Sequence, residues 1–340
     1  MFVGEYYGIN SLLVDVCKKL ISEGRTRNVR GFECVEFPEP VILKIKDPTA
    51  RWIIIPERKW NPILPYAESL WLASGRNDMD FIQYFLPSLL DFSDDGVFMR
   101  GGYGPRFRNF SGNNVDYKIG NNSLLEAPSS CNVNTDQFFY VLKCFEKDRY
   151  TRQAVITIGD PAKDCFSKEG VLKITKDIPC TRLIQFMCTP DNKLNMSVFM
   201  RSNDVIWGLS GVNIFNFTFM QEYFARMLGL DVGSYYHIVN NLHYYKNRHQ
   251  EMVENLSMKS PDDIGFKYKK NFNSLKEFDK KIGELIEYEN SLRNDQYGII
   301  PNFGDDFFND WASVFYHKKT NRSTKFINPL LNKIFNDSSN

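Results

Sequence analysis

Cys180 is the residue of this sequence whose type and surroundings best fit a nucleophile. It directly follows Pro179 at the start of a predicted strand, and the proline produces a rigid bend from which a thiol can face a cavity. Arg201 ends the next predicted strand, and a nearby arginine favours the thiolate form of a cysteine. The opposing interpretation is a buried structural cysteine, which is the more frequent role of this residue type.

The segment from Arg201 to Asp204 carries groups that suit an anion. Arg201 offers a charge and Ser202 a hydroxyl group, and the helix predicted to follow offers the N–H groups of its first turn near Asn213. Such a set can bind a phosphate. Taken alone, an Arg-Ser-Asn-Asp run is more typical of a solvated turn.

Hydrophobic spacing predicts the elements that position these residues. A helix predicted at 213–229 is apolar on most of its circumference, which indicates burial on nearly every side. The Gly-, Asn- and Ser-rich stretch 95–131 is predicted to form loops and one wall of an active site. The other predicted elements are helices at 9–22, 66–74, 79–90, 134–147, 273–293 and 305–318, and strands at 52–55, 153–158, 182–188, 193–201 and 234–240.

Composition excludes several classes of protein. Hydrophobic residues make up 43% of the 340 residues and aromatic residues 15%, which is typical of a globular chain and not of a disordered one. The formal net charge of +1 indicates no general affinity for nucleic acid or for an anionic membrane. The seven cysteines are odd in number and form no metal-binding pattern, so we expect reduced thiols and no metal. Charged residues interrupt the apolar N-terminus, and we therefore expect a soluble cytoplasmic protein.

Several segments resemble motifs of the thymidylate synthase family, in the family's order. Residues 178–249, with IPCTRLIQF, MRSNDVIWGL and NNLHYYKNRH, resemble its Pro-Cys, Gln-Arg-Ser-x-Asp and His-x-Tyr signature. Residues 68–75 (ESLWLASG) resemble its Glu-Leu-x-Trp-Phe-x-x-Gly helix, residues 102–108 (GYGPRFR) its Tyr-Gly-x-x-Trp-Arg segment, and residues 23–26 (EGRT) its first phosphate loop. An ordered set of matches is far more specific than any single motif.

The resemblance implies a role for each matched residue. Cys180 would add to C6 of a pyrimidine and so make C5 a nucleophile. Glu68 and Tyr103 would organise water and proton transfers around the ring, and Asp204 would face the pterin of 5,10-methylenetetrahydrofolate. The positions implied to bind a pyrimidine nucleoside monophosphate are Arg25, Arg152, Arg201 and Ser202 for the phosphate, Asn213 for the O4/N3 edge of the base, His243 and Tyr245 for the sugar, and Gln185. Arg152 matches an arginine that the family supplies across a dimer interface, which implies a homodimer with shared active sites.

The chain departs from the family's pattern near the folate and the base. Residues 86–96 (LPSLLDFSDDG) lack the tryptophans expected there, and Gln153 replaces the second of two paired arginines. One residue is inserted before Asn213, where GLSGVN stands for Gly-Leu-Pro-Phe-Asn, so Val212 or Ile214 could instead occupy the base edge. An uridine-type base is the preferred expectation because the Asn213 amide can donate to O4 and accept from N3–H.

The C-terminal part departs further. The synthases end in a short apolar tail that closes over the folate, whereas charged helical sequence follows Arg248 here and residues 328–334 (NPLLNKI) resemble the tail only faintly. Loss of a water-excluding tail favours hydroxymethylation over reductive methylation. The alternatives are a thymidylate synthase that makes dTMP from dUMP and, in another class, a nucleotide-binding relative without catalysis.

The resemblance predicts the fold class as α/β (α+β), with a three-layer thymidylate synthase-like arrangement around a mixed sheet. A catalytic domain is expected at residues 1–250. A divergent, mostly helical extension at residues 251–340 is expected to pack on it.

Overall fold

The computed structural model describes residues 1–29, 31–111, 134–167, 169–296 and 298–336. The chain forms two compact units, and each is discontinuous in sequence. The first unit comprises Met1–Pro65, Cys180–Ala225 and Leu230–Lys267, and the second comprises Tyr66–Pro179, Arg226–Gly229 and Tyr268–Asn340. A domain boundary at residue 250 stays a prediction.

The described residues form both strands and helices. In chain order the strands are β1 (Phe2–Tyr6), β2 (Arg25–Val29), β3 (Phe32–Glu36), β4 (Val41–Ile45), β5 (Phe110–Ser111), β6 (Asn134–Thr135), β7 (Val155–Thr157), β8 (Thr181–Cys188), β9 (Lys193–Met200), β10 (Asn203–Asp204), β11 (Asp231–Val239) and β12 (Leu242–Tyr245). The α-helices are α1 (Ile9–Glu23), α2 (Leu64–Ala73), α3 (Met79–Phe85), α4 (Tyr103–Arg108), α5 (Gln137–Lys147), α6 (Pro161–Asp164), α7 (Ile214–Met227), α8 (Lys246–Ser257), α9 (Leu275–Arg293), α10 (Asp306–Thr320) and α11 (Pro329–Asn336). Further helical segments are the 3-10 helices Pro56–Arg58 and Pro87–Phe92 and the π-helix Val205–Asn213.

A mixed sheet forms the centre of the first unit. Its strands within this unit lie in the order β1-β4-β11-β9-β8. β1 is parallel to β4 and β9 is parallel to β11, whereas β4 pairs with β11 and β8 with β9 in the antiparallel sense. The alternate residues of β9 from Leu194 to Met200 are buried, as hydrophobic spacing requires of a strand with one face on a core. The predictions of a mixed sheet and of an α/β (α+β) chain are confirmed.

A second sheet of the same unit carries candidate site residues. Its strands lie in the order β10-β12-β3-β2. β10 is parallel to β12, and β3 is antiparallel to both β12 and β2. The short β10 begins three residues after the end of β9, so this sheet continues directly from the core sheet.

Helix α7 is the buried helix that hydrophobic spacing predicts. Two of its polar side chains, Gln221 and Glu222, are buried and find partners inside the unit. Gln221 Nε2 donates to the carbonyls of Leu194 (2.7 Å) and Gly233 (3.2 Å), which lie on β9 and β11. Glu222 forms an ion pair with Arg51, and neither side chain is more than 1% exposed. These contacts fix the helix to the sheet because each would leave a buried polar group unsatisfied if it broke.

The helices after residue 268 belong to the second unit and pack around an aromatic cluster. The Phe308 ring lies 5.8 Å from the rings of Phe272 and Phe278 and 5.6 Å from that of Trp311, between centroids. The helices predicted at 273–293 and 305–318 are confirmed as α9 and α10.

The strand predicted at residues 52–55 is wrong. The backbone there bonds to a side chain instead of to a neighbouring strand: Asn10 Nδ2 donates to the Trp52 carbonyl and Ile54 N donates to Asn10 Oδ1, both at 3.0 Å. A β-branched run can satisfy its backbone in this way without entering a sheet.

Two further predictions need correction. The helix predicted at 79–90 ends as α3 at Phe85, because Pro87 lacks an N–H group and disfavours the helical conformation of the residue before it. Within the predicted loop at 95–131, residues 103–108 form α4, and residues 112–131 lie outside the described residues.

In the described ranges, no helix is long and apolar enough to cross a lipid bilayer. The same ranges contain no group of three His, Cys, Asp or Glu side chains arranged to bind a metal. The cysteines described there are free thiols.

We expect Glu222→Gln to destabilise the protein by about 3–5 kcal/mol, because it leaves the buried Arg51 guanidinium without its counter-charge. Urea unfolding followed by circular dichroism measures the loss. Asp191→Asn is the control, since it removes the acidic partner of an exposed pair with Lys193 and should leave the midpoint unchanged. Equal midpoints for wild type and Glu222→Gln would contradict the interpretation.

Candidate active site

The candidate nucleophile and a cation lie next to each other at two strand ends. Cys180 directly precedes β8 and Arg201 directly follows β9, and the two strands are antiparallel neighbours. Arg201 N donates to the Cys180 carbonyl at 2.9 Å. Cys180 is half-buried and Arg201 is exposed. A thiol and a solvent-exposed guanidinium group thus belong to neighbouring residues at one end of the sheet.

Four polar residues form one row across the second sheet. Asp204 pairs with His243, His243 with Glu36, and Glu36 with Arg25. Residues directly opposite each other in neighbouring strands point to the same face of a sheet. We call these four residues the cross-strand row. Three of them, Arg25, His243 and Asp204, are predicted site residues, which the structure therefore brings together.

Glu36 is the member of the row that sequence reasoning missed. Its carboxylate accepts from Asn241 Nδ2 (2.7 Å) and pairs with Arg27 Nε (3.1 Å). Asn241 Oδ1 in turn accepts from Ser202 Oγ at 3.5 Å. Glu36 thus orients the residue beside Arg201. No sequence signal distinguishes it from the other alternating residues of β3.

Asp204 is a carboxyl group in an unusual electrostatic setting. Oδ1 accepts from the backbone N–H groups of Ile206 (2.8 Å) and Trp207, at the start of the π-helix. Oδ2 is buried and has no hydrogen-bond partner among the described residues. Burial raises the pKa of Asp204 to about 6, although the backbone donors and nearby Arg58 act in the opposite direction. The group can therefore exchange a proton near neutral pH.

An aromatic cluster adjoins the cross-strand row. The rings of His243 and Tyr245 lie 5.3 Å apart, and the Trp207 ring lies 6.4 Å from that of Tyr245. The Arg248 guanidinium lies 4.9 Å from the centre of the Trp207 ring. Trp207 is 46% exposed. Burial lowers the pKa of His243, and its Nδ1 has no partner among the described residues. A neutral imidazole with an open nitrogen suits a hydroxyl group of a ligand.

The inserted residue before Asn213 is accommodated by the π-helix. Ile214 N donates to the Leu209 carbonyl, five residues earlier, so the extra residue widens the turn and α7 begins directly after Asn213. A Cβ atom on Gly208 would lie 2.9 Å from Asn213 Oδ1 and 2.0 Å from Asn203 Oδ1, so a side chain at Gly208 would displace both amides. Ile214 is fully buried, whereas Asn213 is half-buried, and the residue at the base edge stays a prediction.

Arg58 is a second residue that sequence reasoning missed. It is 6% exposed, its Nε donates to Ser210 Oγ at 2.9 Å, and its Nη2 donates to the Ile206 carbonyl at 2.5 Å. Trp60 Nε1 donates to the Gly211 carbonyl at 2.9 Å. Burial lowers the pKa of Arg58 to about 10. These two residues fix the wide turn from outside, and no spacing in the sequence predicts a buried arginine.

Glu68 and Tyr103 belong to the second unit. Glu68 lies in the middle of α2 and Tyr103 is the first residue of α4, and both side chains are half-buried. Just before α4, Gly101 N donates to Asp177 Oδ2 (2.7 Å) and Arg100 Nη2 donates to the Asp177 carbonyl (2.6 Å). The segment that leads to Tyr103 is thus bonded to Asp177 within the second unit.

Two predicted residues lie apart from these groups. Arg152 is exposed in the second unit, before β7. Gln185 pairs with Ser197 in the core sheet, on the face opposite to the buried Ile184 and Phe186. Their roles in nucleotide binding stay predictions.

Comparison with known proteins identifies the family of this chain. The family model for thymidylate synthase matches residues 13–294. The chain is 31% identical over 300 residues to a deoxyuridylate hydroxymethyltransferase of Bacillus phage SP01, covering 85% of this chain and 72% of that one. It is 30% identical to the deoxyuridylate hydroxymethyltransferase of Pseudomonas phage M6 (70% of this chain, 60% of the relative) and 33% identical to that of Delftia phage PhiW-14 (62% and 53%). Because the family model covers most of the chain, this protein belongs to the thymidylate synthase family.

Proposed function

We propose that this protein transfers a one-carbon unit from 5,10-methylenetetrahydrofolate to C5 of deoxyuridine 5′-monophosphate and releases the 5-hydroxymethyl nucleotide. The observation that carries the proposal is the cross-strand row, which presents an arginine, a neutral histidine and a carboxyl group with a raised pKa on one sheet face. The row begins two residues after Ser202, in the segment that also bears Arg201. The names of the three phage relatives support a uracil base and a deoxyribose.

Cys180 is the nucleophile in this proposal. Its thiolate sulfur forms a bond to C6, and the C5–C6 electron pair moves toward O4, so that C5 becomes an enolate carbon able to attack the one-carbon unit. The Asn213 amide donates to O4 and accepts from N3–H. Loss of the C5 proton and cleavage of the bond between the one-carbon unit and the folate nitrogen would release tetrahydrofolate and leave an exocyclic methylene at C5. Water then adds to this methylene, and cleavage of the C6–S bond restores the thiolate. Glu68 and Tyr103 serve the proton transfers.

Asp204 and its neighbours fit a folate. A buried carboxylate oxygen without a partner is costly, and a ligand that donates an N–H group to Oδ2 would satisfy it. A pterin ring carries such donors, and the exposed Trp207 offers an apolar surface beside it. The folate supplies the one-carbon unit and, in reductive methylation, also the hydride.

The extension supports hydroxymethylation over methylation. Residues 328–334, which faintly resemble the closing tail of the synthases, belong largely to the packed helix α11. The backbone before this helix donates to Asp310, from Ile327 N (2.7 Å) and Asn328 N (2.9 Å), and Leu331 is fully buried. A segment packed in this way does not act as a free tail that excludes water from the nucleotide.

We expect the wild type to release tritium from [5-³H]dUMP with methylenetetrahydrofolate and to form 5-hydroxymethyl-dUMP with tetrahydrofolate, as detected by mass spectrometry. Cys180→Ala should abolish tritium release while the Kd for dUMP stays within about tenfold, because covalent activation is lost but the phosphate contacts remain. Cys188→Ala, at the other end of β8, is the control and should stay active. Formation of dTMP and dihydrofolate would instead identify a thymidylate synthase, and binding without tritium release in the wild type a non-catalytic relative.

We expect Asn213→Asp to shift the preference from dUMP toward dCMP. A carboxylate accepts from the amino group of cytosine but is mispaired with O4 of uracil, and a buried mispaired group costs about 1–3 kcal/mol. The ratio of kcat/KM for dUMP and dCMP measures the shift. Asn192→Asp, in the turn between β8 and β9, controls for the added charge and should leave the ratio unchanged.

The core sheet supports a homodimer. On the face opposite to its buried residues, Val3 is 59% exposed, Met187 41% and Phe199 37%, which is an apolar surface suited to a second copy of the same sheet.

Mixing Arg152→Ala subunits with Cys180→Ala subunits should therefore restore part of the activity, because one of the two hybrid sites receives an intact Cys180 and an intact Arg152. Neither variant should be active alone, whereas Arg149→Ala, which removes a nearby exposed arginine, should remain active alone. A fully active monomer in sedimentation experiments would overturn the shared-site proposal.

A further inference from the structure

One arginine of α4 joins four elements of the second unit. Arg108 Nη1 and Nη2 each donate to one oxygen of Asp279, on α9, at 2.8 Å. The same guanidinium donates to Asp136, the residue that caps α5, and Nη1 also donates to the Ala73 carbonyl at 2.9 Å. The Arg108 side chain is 3% exposed. A bidentate pair in such a buried position fixes both distance and orientation.

A second contact joins the extension to the other end of α2. Trp311 Nε1, on α10, donates to the Tyr66 carbonyl at 2.9 Å, and both residues are at most 1% exposed. Tyr66 is the third residue of α2 and Ala73 is its last. The helix that carries Glu68 is thus bonded to Trp311 near its start and to Arg108 at its end.

Two carboxylates, Asp136 and Asp279, share the buried positive charge of Arg108. Burial by itself would lower the pKa of Arg108, but Asp136 and Asp279 raise it above the usual value. If Asp279 is neutralised, Arg108 keeps Asp136 as its counter-charge. The loss of Asp279 therefore removes the link to α9 without leaving an unpaired buried cation.

We propose that α9 and α10 position the residues of the reaction: Asp279, through Arg108, and Trp311, through Tyr66, set the places of Glu68 and Tyr103. This inference rests on the proposed function for the roles of Glu68 and Tyr103. It gives residues 275–320 a part in the reaction although none of them is proposed to touch the substrate. Asp279 is a positioning residue.

The test compares Asp279→Asn with Glu289→Gln. Both changes neutralise a buried carboxylate on α9 that pairs with one arginine, but the partner of Glu289, Arg293, lies on α9 itself. For Asp279→Asn we expect kcat for tritium release to fall by at least about tenfold while the KM for dUMP changes less than about threefold, since misplacement of catalytic groups slows chemistry more than binding. Glu289→Gln should keep kcat within about twofold, and Asp279→Glu, which keeps the carboxylate, should recover most of the rate.

Hydrogen exchange of the backbone amides of α2 and α4 tests the same inference without any activity. Exchange there should rise by about tenfold in Asp279→Asn and stay near the wild-type rate in Glu289→Gln. If the wild type neither releases tritium nor forms product, the proposed function fails. The exchange rates still test whether Asp279 stabilises α2 and α4. Equal exchange and equal kcat in the two variants would overturn the inference.

Trp311→Phe keeps an aromatic ring in the core and removes only the donor to Tyr66. It provides a second readout if Asp279→Asn does not fold. Faster exchange in α2 with an unchanged KM for dUMP supports the inference, and wild-type exchange with wild-type kcat contradicts it.

Discussion

The burial of α7 is the constraint on which the first unit depends. A helix with a core on nearly every side leaves most of its polar side chains no access to water, so partners inside the protein must stabilise them. Gln221 bonds to β9 and β11, and Glu222 pairs with Arg51. The sheet, the segment before the Pro56–Arg58 helix and α7 are thereby fixed to one another. Asn213 directly precedes this helix, so its backbone is held in place as well.

In the candidate site, polar groups are buried from water, and this burial shifts the pKa of Asp204 and of His243. Asp204 caps the π-helix with one oxygen and leaves the other buried and open, which is why its proton affinity is high. His243 stays neutral for a related reason, because burial opposes its charged form. The arginines at residues 25 and 201 are exposed and can meet a phosphate from solvent.

Sequence patterns predicted the parts of this arrangement that depend on local periodicity. The alternation in β8 and β9 and the apolar circumference of α7 depend only on nearby residues, and the ordered motifs identified the family. Residues whose role arises from distant contacts escaped prediction. Arg58 looks like a surface cation until the turn at Ser210 and Ile206 buries it. Trp52–Ile55 looks like a strand because the sequence does not reveal that Asn10 occupies its hydrogen-bonding groups. Glu36 gains its role only from the register of three strands.

The discontinuity of the second unit has a consequence for how the protein is made. Arg108 and Asp279 are 171 positions apart, so a ribosome needs roughly 10–30 s to add the second after the first. During that interval α2 and α4 have left the ribosome without the partners that cover them. The nascent chain must therefore delay the completion of this unit until α9 and α10 have been made, and it presents apolar helix faces to chaperones in the meantime. A cell that makes this protein quickly at high concentration thus exposes it to aggregation at its least protected stage.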